Sequence, residues 1–120
     1  MAMTWFCPLC WHHQESPLSK CPSCGRSLEQ YNALTYEEKL VQSLYHPIRE
    51  QRMIAIGILG RVRYLPAIPE FARIVQEEED PFIICEVIRA LRMIGTSECI
   101  QIIATLREHP SVIVRNEACV

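Results

Sequence analysis

An all-α fold is predicted: a short α-solenoid of stacked helix pairs, preceded by a small module held by cysteines. Three observations carry this expectation. Apolar residues between positions 31 and 120 recur at helical spacing. The junctions His46-Pro47, Asp80-Pro81 and His109-Pro110 recur, with Pro81 34 residues after Pro47 and Pro110 29 residues after Pro81. Cys7-Pro8-Leu9-Cys10 and Cys21-Pro22-Ser23-Cys24 form two C-x-x-C pairs. The expected division is a module at residues 1–30 and helical repeats at 31–120, the last repeat incomplete.

Bulk properties narrow the class. A chain of 120 residues can form one domain, or one domain with a mini-module. Its 49% apolar and 22% charged residues are ordinary for a soluble globular protein. The net charge of −2 supplies no general pull toward nucleic acid or anionic lipid. Residues 1–7 lack a basic stretch followed by an apolar run, so no signal peptide is expected. The longest apolar runs, Met53–Gly60 and Ile100–Ala104, are too short to cross a bilayer. Seven cysteines, an odd count with four in C-x-x-C pairs, fit metal ligation in a reducing compartment better than a disulfide framework. A cytoplasmic protein without a membrane partner is expected.

The module comes first. Two residues between cysteines let one tight turn aim both sulfurs at a single ion, and two such turns complete a tetrahedron of thiolates. Pro8 and Pro22 help set the turns, and Gly25 can take the positive φ that follows such a knuckle. Structural Zn2+ on Cys7, Cys10, Cys21 and Cys24 is the expectation. Other readings of four thiols are an iron site, whose knuckles normally lie further apart, a thiol redox switch, or free thiols. Four thiolates close the coordination sphere and leave no place for an activated water, which argues against a catalytic metal. The stretch Phe6–Leu28 resembles the short zinc-ribbon family, with its Cys-Pro-x-Cys, spacer and Cys-Pro-x-Cys-Gly pattern. Trp11 departs from it where the family has Gly, and a bulky residue there resists positive φ, so a distorted first turn is expected. His12 and His13 are read as exposed loop residues. Trp5, Phe6, Leu9, Trp11, Leu18 and Leu28 are too thin a core to fold alone, so metal must supply the folding energy.

Tyr31–Leu34 reads as a linker, and Thr35 with Glu38 as a capping box opening the first helix. Leu40, Val41, Leu44 and Tyr45 form its stripe, and it ends before Pro47. The next helix should start at Pro47 and end near Gly60; its second half is apolar on nearly every side and needs cover on several faces. Leu65, Ile68, Phe71, Ala72 and Val75 mark the following helix, with Pro66 and Pro69 at its start. Glu77-Glu78-Glu79-Asp80 reads as a solvated turn, Asp80 capping a helix whose first residue is Pro81. Thr96 or Ser97 caps the next, striped by Cys99, Ile102, Ile103 and Leu106. His109-Pro110 opens a third unit. Ala55, Ile56 and Gly60 recur 35 residues later as Ala90, Leu91 and Gly95. Two helices per unit at this period describe a stacked α-solenoid.

This region resembles the short HEAT-repeat family found in phycobilisome lyases, with its Asp-Pro-x-x-x-Val-Arg-x-x-Ala-x-x-Ala-Leu-Gly pattern. The likeness is carried by Pro47, Arg52, Ala55, Leu59 and Gly60; by Asp80, Pro81, Ala90, Leu91 and Gly95; and by Pro110, Val114, Arg115 and Ala118. Glu86 or Val87 stands where the second unit's arginine would be, so an incomplete arginine ladder is expected. Cys85, Cys99 and Cys119 fall on helical stripes and read as core residues. His46 and His109 occupy matching junctions.

No catalytic set stands out. The expectation is a non-catalytic protein-protein interaction or scaffold module, in which a zinc ribbon caps a HEAT-like surface. Arg61, Arg63, Arg89 and Arg92 are the candidate partner-binding residues. They also carry the alternative of nucleic-acid binding, which the net charge disfavours. The HEAT likeness implies a third alternative, a lyase-type subunit. Cys119-Val120 falls inside the first helix of the third unit. A solenoid needs a polar terminal cap, so the chain is expected either to be the front of a longer array or to be covered at this end by another chain, a homo-oligomer included.

Overall fold

The computed structural model describes residues 5–14 and 21–119. Two short strands, β1 (Trp5–Phe6) and β2 (His13–Gln14), pair antiparallel with Phe6 opposite His13. Seven α-helices follow among the described residues: α1 (Leu28–Asn32), α2 (Tyr36–Ser43), α3 (Arg49–Arg61), α4 (Ile68–Glu77), α5 (Pro81–Ile94), α6 (Ser97–Thr105) and α7 (Val112–Cys119). Single 3-10 turns at Leu65–Ala67 and Leu106–Glu108 precede α4 and follow α6. Helix α3 packs on α5 and α5 on α7, while α4 and α6 pack against α5 and α2 covers α3. The body is elongated, 46 × 28 × 20 Å.

Local chemistry explains most helix boundaries. Thr35 caps α2, its hydroxyl accepting the Glu38 N–H while the Glu38 carboxylate accepts the Thr35 N–H, as the capping box requires. The same device occurs at Ser27 and Gln30, so α1 occupies part of the stretch read as a linker and crosses the boundary at residue 30. Thr96 caps α6 by accepting the Cys99 N–H. The three pre-proline residues share one task. His46 Nδ1 accepts the Ile48 N–H at 3.0 Å, Asp80 Oδ1 the Phe82 N–H at 2.9 Å, and His109 Nδ1 the Ser111 N–H at 3.0 Å. Burial, then the nearby Arg52 charge, holds the His46 pKa below its ordinary value, which keeps Nδ1 free to accept.

Four expectations need correction. Helix α3 starts at Arg49 and not at Pro47, because Ile48 is extended and gives its N–H to the imidazole instead of opening a helix. Leu65 lies in the 3-10 turn ahead of α4 and is exposed, so it is not part of that helix's buried stripe. Cys119 is exposed, since its neighbour Ala118 takes the inward position. The acidic stretch is more than a solvated turn. Glu78 accepts the N–H groups of Glu79 and Asp80 and lies 3.8 Å from Arg52, while Asp80 pairs with Arg49 at 2.5 Å. The Arg49 side chain holds the Asp80 carboxyl below the usual range.

The two recurring glycines serve different ends. Gly95 follows α5 with φ +74°, the left-handed cap that glycine tolerates best. Gly60 lies inside α3, where a Cβ would sit 2.7 Å from Ala90 Cα and 3.0 Å from the Met93 methyl. Its missing side chain is what lets α3 and α5 approach. The left-handed position after α3 falls to Arg63, at φ +54°. There the Arg63 N–H reaches the Gly60 carbonyl and the Tyr64 N–H the Leu59 carbonyl, a Schellman closure with arginine where glycine is usual.

The glycines can be tested together by urea unfolding. Gly60→Ala should cost about 1–3 kcal/mol through the clash with Ala90. Gly57→Ala, which meets only the end of Arg61 at 3.6 Å, should be neutral or stabilise by about 0.5–1 kcal/mol through helix propensity.

Candidate metal centre

The module is two nearly identical turns set side by side. In the first, the Cys7 carbonyl accepts the Trp11 N–H at 2.7 Å and the Cys7 N–H donates to the His12 carbonyl at 3.0 Å. In the second, the Cys21 carbonyl accepts the Gly25 N–H and the Cys21 N–H donates to the Arg26 carbonyl, both at 2.9 Å. The strand pair flanks the first turn, and Arg26 reaches across to donate to the Leu9 carbonyl at 3.2 Å.

The turns bring the four sulfurs together. Cys7, Cys10, Cys21 and Cys24 place their Sγ atoms all within 4.8 Å of one another. Cys7 and Cys24 are 3.8 Å apart, and Cys10 and Cys21 are 3.7 Å apart. A thiolate tetrahedron with metal–sulfur distances of about 2.3 Å has edges of about 3.8 Å, which these two distances match and the 4.8 Å limit on the rest approaches, so the four sulfurs suit one tetrahedral ion. None of the four is in a disulfide. His12 and His13 are exposed and lie outside the sulfur group.

The electrostatics point the same way. Backbone N–H donation near Arg26 draws the Cys24 thiol down to about 6, and a similar bond at Cys24 lowers Cys21. Cys10 is pushed up to about 12, first by burial and further by its hydrogen bonds to the other three cysteines. Thiols this close ionise together only around a cation, which is what the site offers space for.

Trp11 overturns the expected distortion. It adopts φ +65°, almost matching Gly25 at +74°, so the first turn keeps its shape. A non-glycine residue there costs about 1–3 kcal/mol. The side chain's contacts offset that cost. The indole N–H donates to the Gln42 carbonyl at 2.8 Å, and the ring tilts against the His46 imidazole at 4.5 Å. Phe6 meets the same imidazole at 5.9 Å. Sequence reasoning did not find this joint; the visible signal was a bulky residue in a glycine position.

The four arginines are not gathered around one group among the described residues. Arg89 pairs with Glu86 at 2.6 Å and with Glu117 at 3.0 Å, and Arg92 meets Glu117 at 3.5 Å. Arg61 folds back onto the Gly57 carbonyl at 3.3 Å, and Arg63 carries the turn after α3. Cys85 and Cys99 are buried in the helical core, and burial pushes the Cys85 thiol up. No helix of the described residues is long and apolar enough to cross a membrane.

No protein-family model matches this chain, no curated protein matches it, and no solved structure matches it.

Metal binding at this cluster should release protons. With the Cys10 thiol near 12 in the metal-free site, at least one proton must leave per ion bound between pH 6 and 8. The apparent affinity, measured by competition against a chromophoric chelator, should therefore fall at least about 100-fold from pH 8 to pH 6.

Proposed function

We propose that this chain is a non-catalytic binding module, in which a zinc-ribbon-like front end is joined to a short HEAT-like solenoid that engages a protein partner. One observation carries the reading. The four sulfurs lie within 4.8 Å of one another, and four thiolates on one ion would leave no position for a substrate or an activated water. Zinc is the ion proposed, because two C-x-x-C turns separated by so short a spacer are the usual zinc arrangement. The row α3–α5–α7, with α4 and α6 against α5, supports helix-pair stacking.

The surface best suited to a partner runs along α3 and α5. Ile54 is 53% exposed, and Gly57 and Arg61 follow it at helical spacing on one stripe. Met93, whose methyl lies against Gly60, is exposed on the neighbouring helix. A protein suits this mixed apolar and basic strip better than nucleic acid does. Arg89 and Arg92 already spend charge on Glu86 and Glu117, and the chain is net acidic. Self-association through α7, where Val112 and Ile113 are exposed, is the route to a homo-oligomer.

The test uses the intact zinc-loaded protein with a photo-crosslinker at Ile54 or Met93. A discrete crosslinked protein partner is expected, lost in the Ile54→Asp, Arg61→Glu double variant while zinc content and melting temperature stay unchanged. Catalytic turnover without a partner, or a salt-dependent shift with RNA or DNA that the same variant abolishes, would defeat the reading.

A further inference from the structure

Trp11 sits where three structural obligations meet. It occupies the left-handed position of the first cysteine turn, a place that favours glycine. Its indole N–H donates to the carbonyl of Gln42 in the last turn of α2, which also accepts the Tyr45 N–H at 3.2 Å. Its ring lies against His46, whose Nδ1 holds the Ile48 N–H just ahead of α3. The metal turn thus touches both the end of one helix and the start of the next.

Helix α2 has little else to hold it. None of its eight residues is fully buried, and its packing partner is α3. A helix this short does not persist in water without tertiary support. Leu40 and Val41 lie only partly buried against the core. By contrast α5 is enclosed by α3, α4, α6 and α7.

We infer that Trp11 transmits metal occupancy to the α2–α3 junction, so that losing the ion loosens α2 and uncovers the apolar surface formed by Leu40, Val41 and Leu44 while the α3–α5–α7 row stays folded. This rests on the metal reading above. The ion fixes the Cys7–Cys10 turn, and the turn fixes the angle at which the indole leaves the backbone. Without the ion, only the Cys7 carbonyl–Trp11 N–H bond and its neighbour at His12 are left in the turn to hold Trp11 at φ +65° against its strain, and the ring and its hydrogen bond are released. The sequence then makes sense of its own anomaly: a tryptophan is kept in a glycine position because its side chain is the link.

Amide hydrogen exchange on the full chain tests this. Metal content is measured first, then exchange is followed with zinc bound and after chelation. In the wild type, segment 40–48 should exchange at least tenfold faster after chelation, with segment 83–94 changed less than twofold. Trp11→Gly relieves the backbone strain and should bind zinc as tightly as the wild type. Its segment 40–48 should nevertheless exchange at the metal-free rate even with zinc bound. His46→Ala, which leaves the turn untouched, should retain zinc and shrink the response to chelation. If the chain takes up no metal, the metal reading falls and this inference with it. If it takes up metal but segment 40–48 ignores chelation, or Trp11→Gly stays protected, the inference alone is overturned.

Discussion

Helix α5 imposes the main constraint on this molecule. Eight of its fourteen residues are buried: Ile83, Ile84, Cys85, Val87, Ile88, Ala90, Leu91 and Ile94. An α-helix with apolar residues on so many sides cannot be stable against water, and neighbours must cover it on several faces. Helices α3, α4, α6 and α7 do so. The approach of α3 is made at backbone level, with Gly60 against Ala90, because two helices come that near where one lacks a side chain. Phe71, Leu59, Cys99 and Val114 then fill the space around the same axis.

Charge ties the helices once the core has set their spacing. Arg49 and Arg52 of α3 reach Asp80 and Glu78 in the turn before α5, and Arg89 and Arg92 of α5 reach Glu117 of α7. These pairs are partly exposed, and each is worth only a fraction of a kcal/mol to about 1 kcal/mol. Their effect is on register more than on stability. No arginine stands at Glu86 or Val87, and it is Arg89 and Arg92 further along the same helix that reach Glu117.

The front module follows a different logic. Its apolar content is too small to hold it, and its shape comes from paired turns and four converging sulfurs. It is attached to the helical body through Phe6 of β1 and Trp11 of the first turn, on His46 and Gln42. The imidazole at this joint is also the cap of the next helix, so one residue belongs to both parts.

Much of this was legible in the residues alone. Cysteine spacing, capping boxes, prolines and helical stripes are local signals, each complete within a few residues, and they placed the cysteine cluster, the caps at Thr35 and Asp80, and, to within one residue, the cap at Thr96. What was not legible depends on residues far apart in the chain. The second half of the helix ending near Gly60 read as apolar on nearly every side and in need of cover on several faces, yet Ile54 is half exposed and α5 has the more buried residues. Gly60 and Gly95 look alike in the sequence, but one is a cap and the other a contact surface, because only packing shows which backbone comes near. Trp11 looked like a defect in a turn until Gln42 and His46 were beside it. Sequence determines which local conformations are cheap; the tertiary structure decides where a costly one is offset by contacts the local chain cannot see.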